Sequence, residues 1–363
     1  MRALAPDDLV RTPDEARAAS RPPLLVLEPL LDFLDAHGLG AGEPSIHAIG
    51  DGRSNATFLV QRGDARFVLR RPPRPPLPPS ANDMLREVRI QRALRGRARV
   101  PRILAACDDP SVIGAPFYVM EELAGVVIDG GTPSALDTPA ERRRAGEALV
   151  DALVELHAVA WRDDPELTGL GRPDGYLERQ LTRFGGLWER HRTRDLPQVE
   201  ALGAWLEANR PASPPATIVH GDYRLGNVML APGTPATVAA ILDWELSTLG
   251  DPLADVGYMA VTYSDRDAPP DTPFLLSPAT RDEGWPTREE LLARYAQRSG
   301  RSLAGIRWYE VLALWKATIF MEGNYRRALD GLSDDPYLKA FGAVVPAMVR
   351  RAEALAAAGP DGL

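Results

Sequence analysis

The run His220-Gly221-Asp222-Tyr223-Arg224-Leu225-Gly226-Asn227 places a histidine, a carboxylate and a neutral amide on one short stretch of chain. Residues 217–219 before it and 228–230 after it are apolar, and a further apolar run, 238–242, ends in Asp243. Two short strands would each deliver a carboxylate at one end, with an asparagine on the connection between them. Phosphoryl transfer uses this set: one carboxylate accepts or orients the proton of a hydroxyl, and an amide oxygen with a second carboxylate holds Mg²⁺ against the phosphates. The plain alternative for Asp222 and Asn227 is a polar turn.

A second constellation lies upstream. Gly50-Asp51-Gly52-Arg53-Ser54-Asn55 sits between two runs of strand character, 45–49 and 56–61. Glycines let a backbone approach phosphates closely, and consecutive N–H groups can cradle them; a simple hairpin turn reads equally well. A third strand, 65–70, follows the turn Arg62-Gly63-Asp64 and runs into Arg70-Arg71. Strand alternation puts Arg70 on the same face as Val68. Prolines through 72–79 exclude a helix or central strand there. A helix carrying Glu87 is predicted over about 82–94, and a strand over 117–121, ahead of Gly125.

Around these, residues 1–23 read as a loose arm and 24–37 as a segment helical from Pro29, closed by Gly38. Beyond Gly125 helices dominate. Thr138-Pro139-Ala140-Glu141 combines an N-cap, a first-turn proline and a capping-box glutamate, and opens a helix to about residue 159. Thr287-Arg288-Glu289-Glu290 opens another, closed by Gly300. A long helical pattern over 305–329 carries Trp308, Trp315 and Phe320, which read as core packing. There is no internal repeat.

Composition bounds the possibilities. The 363 residues are 45% hydrophobic and 25% charged, enough for two ordinary domains. A net charge of −8 argues against a nucleic-acid partner. The single cysteine, Cys107, excludes an internal disulfide or a cysteine-rich metal site and suits a reducing cytoplasm. Residues 1–10 show no secretory signal, and the apolar run 24–34 is broken by Glu28, Pro29 and Asp32 and is too short for a membrane. All but two of the 42 basic residues are arginines, the exceptions being Lys316 and Lys339.

The pattern His-x-Asp-x-x-x-x-Asn at 220–227, followed by Asp243, resembles the catalytic and metal loops of the aminoglycoside phosphotransferase family, relatives of the protein kinases. The wider text around it (Val68-Leu69-Arg70-Arg71-Pro72-Pro73, and Asp243-Trp244-Glu245 through Asp251-Pro252) is similar to the kinase-like domain fused to some long-chain acyl-CoA dehydrogenases. The resemblance covers about residues 25–345. It implies an α+β, protein-kinase-like bilobal fold, with a small N-lobe of antiparallel sheet plus a helix and a larger, mainly helical C-lobe. The corresponding division is an arm at 1–23, a nucleotide-binding lobe at 24–125 and a catalytic and substrate lobe at 126–363.

The resemblance also implies roles. Asp222 is the expected base, His220 a brace for the loop, and Asn227 with Asp243 the Mg²⁺ ligands. Gly50, Gly52, Ser54 and Asn55 would cover the ATP phosphates. Arg70 stands where kinases use lysine, with Glu87 as its partner. Met120, Glu121 and Leu123 would meet adenine, Glu121 and Leu123 through backbone groups. Asp255 would bond the amides of the catalytic loop or touch substrate. Tyr258, Glu322, Asn324 and Arg326 are the expected substrate-facing residues: Arg326 suits a phosphate or carboxylate, Glu322 an amine. Trp244-Glu245 in place of Phe-Gly, and the lack of an Ala-Pro-Glu segment, argue against a protein substrate. The acceptor is then a hydroxyl on a small molecule, either a hydroxylated acyl metabolite or an aminoglycoside-like compound. A nucleotide-binding pseudokinase with a regulatory or scaffold role is the other reading left open.

Overall fold

The computed structural model describes residues 2–5, 7–50, 55–75, 83–333 and 335–360. The chain divides into two compact units, one of Met1–Gly96 with Val100–Ala124, the other of Arg97–Arg99 with Gly125–Leu363.

The first unit runs β1 (Leu9–Val10), α1 (Pro13–Ala18), β2 (Leu25–Val26), α2 (Leu27–Ala36), β3 (Ser45–Ile49), β4 (Ala56–Arg62), β5 (Ala65–Arg71), α3 (Met84–Leu94), β6 (Ile103–Cys107) and β7 (Phe117–Glu121). Its main sheet is antiparallel, in the order β3-β4-β5-β7-β6. Strand alternation sorts the side chains onto two faces. Phe58, Val60, Phe67, Leu69, Phe117 and Val119 face one way and pack with Leu30 and Leu34 of α2. Full burial of each such side chain contributes about 1.5–3 kcal/mol. Tyr118 faces the other way and packs with Met84 and Val88 of α3. Arg70 lies opposite Tyr118 in the β5–β7 register, and so points to the α3 side.

The first residues depart from expectation. The described part of the expected arm at 1–23 is tied down: Arg2 and Ala48 exchange both backbone hydrogen bonds, at 3.0 and 3.1 Å, and β1 pairs in parallel with β2. Helix α1 starts at a capping box made by Thr12 and Glu15. Helix α2 begins at Leu27, two residues before the proline expected to open it. Part of the proline-rich run and the expected start of α3 fall at 76–82, outside the described residues. Asp83 is the N-cap of α3, accepting the Arg86 amide.

The second unit contains β8 (Val126–Val127), α4 (Pro139–His157), α5 (Pro165–Thr168), α6 (Tyr176–His191), α7 (Pro197–Ala208), β9 (Thr217–Val219), β10 (Val228–Leu230), β11 (Val238–Ile241), β12 (Thr248–Gly250), α8 (Leu253–Thr262), α9 (Arg288–Ser299), α10 (Ile306–Leu329) and α11 (Pro336–Ala357). The strands form two small antiparallel sheets, β11-β10-β8 and β12-β9. Helix α10 runs through the core and packs on α6, α7, α8 and α11. Gly257 allows the close approach of α8, because a Cβ there would lie 2.7 Å from the Tyr309 backbone. Trp308 and Trp315 are buried, and their indole N–H groups donate to Leu206 O (2.9 Å) and Val199 O (2.8 Å). Phe320, expected with them in the core, is instead 67% exposed, because it falls on the outer face of the helix.

Candidate active site

Strand β9 delivers His220 to Asn227 as a loop that bends through Gly221, at φ 88°, and a single 3₁₀ turn over Leu225–Asn227 before β10 begins. A side chain at 221 would be strained by that dihedral, and its Cβ would sit 2.8 Å from Leu246 Cβ. The loop is held from beneath by Asp255, in the first turn of α8. Its carboxylate accepts the His220 and Gly221 amides, each at 2.7 Å, and is wholly buried. One of its oxygens also meets His157 Nε2 at 3.2 Å, and His157 Nδ1 meets the Tyr295 hydroxyl at 2.8 Å. Asp255 is therefore fully engaged, and the expectation that it could touch substrate gives way to the bracing alternative.

His220 is buried as well. Its Nδ1 accepts the Asp222 amide (3.3 Å), so its Nε2 must carry the proton it donates to Leu242 O (2.9 Å). Its ring stands edge-on to Trp244 at 4.9 Å between centroids. The histidine thus ties the loop to the segment before Asp243, where Leu242 N also donates to Asn227 O at 2.8 Å.

Asp222 is the carboxylate this frame presents. Asn227 Nδ2 donates to its Oδ2 at 2.7 Å and to its carbonyl at 2.8 Å. The Tyr258 hydroxyl stands close to it on α8. Desolvation raises its proton affinity above that of an ordinary carboxylate, against the pull of Arg224, the Tyr258 hydroxyl and His220; the nearby Asp243 charge adds to the rise. Its Oδ1 is buried without a hydrogen-bond donor, although Arg224 Nε lies 3.7 Å away. Because Asn227 turns its NH₂ toward Asp222, its Oδ1 is the atom with lone pairs to offer elsewhere. The β10–β11 ladder brings Asn227 beside Leu242 and so beside Asp243, which adopts the uncommon φ of 66°. The donor set of one amide oxygen and one carboxylate suits a hard cation such as Mg²⁺. Among the described residues no cluster of three or more His, Cys, Asp or Glu side chains forms a separate metal cage.

The first unit holds the other expected residues. Arg70 Nε pairs with Glu87 Oε2 at 3.3 Å, and Glu87 also accepts the Tyr118 hydroxyl at 2.9 Å. Arg71, one residue on, points to the opposite face. It is buried against the Leu24, Ile113 and Pro72 carbonyls, and burial lowers its pKa to about 10. Gly50 follows β3 at φ 72° and Asn55 is buried ahead of β4; Gly52 and Ser54 lie outside the described residues. Met120 packs on the α3 cluster, and Leu123 is half-buried just past β7. The Glu121 amide is already donated to Arg102 O at 2.9 Å, so it is not open to a ligand in this arrangement.

Of the expected substrate-facing residues, only Tyr258 is brought to Asp222. Glu322 is wholly buried, accepting Thr193 N (2.9 Å) and Oγ1 (2.6 Å) and pairing with Arg194 Nη2 (3.1 Å). It is a packing residue, contrary to expectation. Asn324 Nδ2 donates to Phe320 O at 3.2 Å, and the exposed Arg326 pairs with Asp330 at 3.1 Å. Arg224 and His157 were not anticipated. Arg224 had a signal, a cation two residues past Asp222 in a tight loop; His157, far upstream in α4, had none.

A five-stranded antiparallel sheet flanked by helices α2 and α3, and a mainly helical unit whose small strands carry His220, Asp222, Asn227 and Asp243, define the kinase-like class of phosphotransferase folds. Residues 45–319 match the Phosphotransferase enzyme family, and the chain belongs to it. It is 32% identical over 328 residues to mouse acyl-CoA dehydrogenase family member 10, covering 89% of this chain and 30% of that protein. It is 34% identical over 318 residues to human acyl-CoA dehydrogenase family member 11, covering 84% and 40%. The chain thus spans well under half the length of these relatives. A solved protein from Ralstonia eutropha, described as a candidate aminoglycoside phosphotransferase, matches at TM-score 0.76 and 30% identity over 91% of this chain and 98% of that one. A ternary complex of streptomycin, ATP and an aminoglycoside phosphotransferase shares the fold alone, at TM-score 0.54 and 13% identity, over 82% and 90%.

Proposed function

We propose that this chain transfers the γ-phosphoryl group of ATP to a hydroxyl of a small molecule, with Mg²⁺, as a cytoplasmic enzyme. The observation that carries the reading is Asp222: a desolvated carboxylate of raised proton affinity, oriented by Asn227 with Tyr258 nearby, with one oxygen lacking a donor. That oxygen can take the proton of an acceptor hydroxyl as its oxygen bonds to phosphorus and the bond to ADP breaks. Arg224, beside Asp222, offers a positive charge to the transferring group. Asn227 Oδ1 and Asp243 would hold Mg²⁺, which when bound neutralises phosphate charge. His220 and Asp255 act through the backbone, keeping Asp222 in place.

The nucleotide-side roles fall to the first unit, where Arg70 keeps a permanently charged fork beside Glu87. The family match supports the reaction class. The ATP complex of an aminoglycoside phosphotransferase supports the donor, and the acyl-CoA dehydrogenase relatives favour a hydroxyacyl-type acceptor over an aminoglycoside. A screen of ATP consumption across hydroxyacyl thioesters, aminoglycosides, choline and sugar alcohols identifies the acceptor. With it, Asp222→Ala is expected to lower kcat by about 10²–10⁴ while ATP still binds. Unchanged turnover would sink the mechanism as assigned, whereas ATP binding without turnover of any acceptor would leave a nucleotide-binding regulator.

A further inference from the structure

Helix α10 carries a cation that the proposed chemistry does not use. Lys316 is half-buried where α10 packs on α6, with its ammonium 4.9 Å from the centre of the Phe184 ring. The Arg183 guanidinium stands 5.9 Å from the same ring centre. Among the described residues, neither cation has a hydrogen-bond or ion-pair partner. Desolvation, with a smaller contribution from the Arg183 charge, takes the Lys316 pKa down to about 8. The carboxylate whose field reaches Lys316 is Asp255, already occupied by the amides of the catalytic loop.

Arg183 is exposed and Lys316 half-buried beside the same ring, so two like charges without a carboxylate partner face an anion from one side, and an anion that contacts both relieves their repulsion. The choice of residue adds to the case. In a chain whose cations are almost all arginines, a lysine stands at 316. A compact ammonium on a flexible stem can reach an anion where a planar fork does not fit. One turn further along α10, Phe320 is 67% exposed and offers apolar surface beside it.

We propose that Lys316 and Arg183 form a binding site for an acidic group, carboxylate or phosphate, of the small-molecule acceptor. The acceptor is then an anion with an apolar portion, and this rests on the phosphotransferase reading above. Helix α10 packs on α8, which carries Tyr258 and Asp255, so the acidic group is held on elements tied to the catalytic loop.

The presence of only two lysines gives a test independent of turnover. Reductive methylation with isotope-labelled formaldehyde gives NMR signals for Lys316 and for the exposed Lys339, which serves as internal reference. Inorganic phosphate and succinate are titrated separately, against chloride at matched ionic strength. The Lys316 signal is expected to move saturably with at least one of them while Lys339 does not, and Arg183→Gln should weaken that binding by about fivefold or more. Which anion saturates tells phosphate from carboxylate. Parallel drift of both lysines, or a titration unchanged by Arg183→Gln, would overturn the site. In turnover, Lys316→Met should raise KM for an acidic acceptor by about tenfold, with kcat little changed and a matched neutral acceptor unaffected. The phosphotransferase reading fails separately, through Asp222→Ala.

Discussion

The Arg70–Glu87 pair and the Asp255 brace both fix a charged group where chemistry is expected, by different means. In the first unit, side chain meets side chain: a strand residue reaches a helix residue, with the Tyr118 hydroxyl as third member. In the second, a carboxylate grips backbone amides, and the loop it grips bends through Gly221 and leads by way of the strand ladder to Asp243 at φ 66°. Long side chains can adjust to small shifts of the strand and helix that carry them. Backbone geometry cannot adjust in the same way, so the second depends on particular residues at particular dihedrals.

That contrast can be broken most directly at Asp255. Asp255→Ala strands two amides and His157 in a buried site and is expected to cost about 3–5 kcal/mol, read as the shift in urea midpoint. A loss below about 1 kcal/mol would show that the loop holds its shape without the brace. A smaller effect is expected at Glu87→Gln, which keeps an acceptor for Tyr118 but removes the charge beside Arg70. About 1–3 kcal/mol of stability should be lost, with a rise in the KM for ATP; a cost equal to that of Asp255→Ala would erase the distinction between the two regions.

The smallest effect sharpens the comparison by sign. Burial raises the Asp222 pKa above its unfolded value, so the ionised carboxylate disfavours folding. Asp222→Asn should therefore raise thermal stability at neutral pH, by less than about 2 kcal/mol, while removing activity. The gain should shrink as pH falls through the raised pKa toward the ordinary carboxylate value, where the parent Asp222 is itself protonated. A gain that grows on acidification would contradict the assignment. The opposite dependence belongs to Glu122, whose pKa the Arg66 hydrogen bond lowers.

The proposed catalytic loop was legible in sequence because its residues are close together and flanked by apolar strands. The register of Arg70 was legible because strand alternation is strict. Strands β1 and β2 were not, since two-residue strands have no period to read, so that 1–23 reads as an arm in sequence. Helix α11 hid behind Pro346, which lies inside it. Glu322 read as a cleft acid because its partners, Thr193 and Arg194, lie 129 and 128 residues away. The left-handed backbone of Asp243 had no glycine to announce it. Phe320 shows the limit of composition: aromatic type alone did not say which side of α10 it occupies.

The bracing of the loop has a consequence for the order in which the protein is made. Asp255 lies 35 residues after His220, and Tyr295 lies 138 residues after His157. During synthesis the His220-Gly221-Asp222 segment therefore exists before its carboxylate support, and His157 waits longer still for its hydroxyl partner. A nascent chain halted before α8 would carry every residue of the catalytic motif with the His220 and Gly221 amides lacking that acceptor. Assembly of the site is thus tied to completion of the second unit, and a truncated product cannot hold the loop in its working shape by this route.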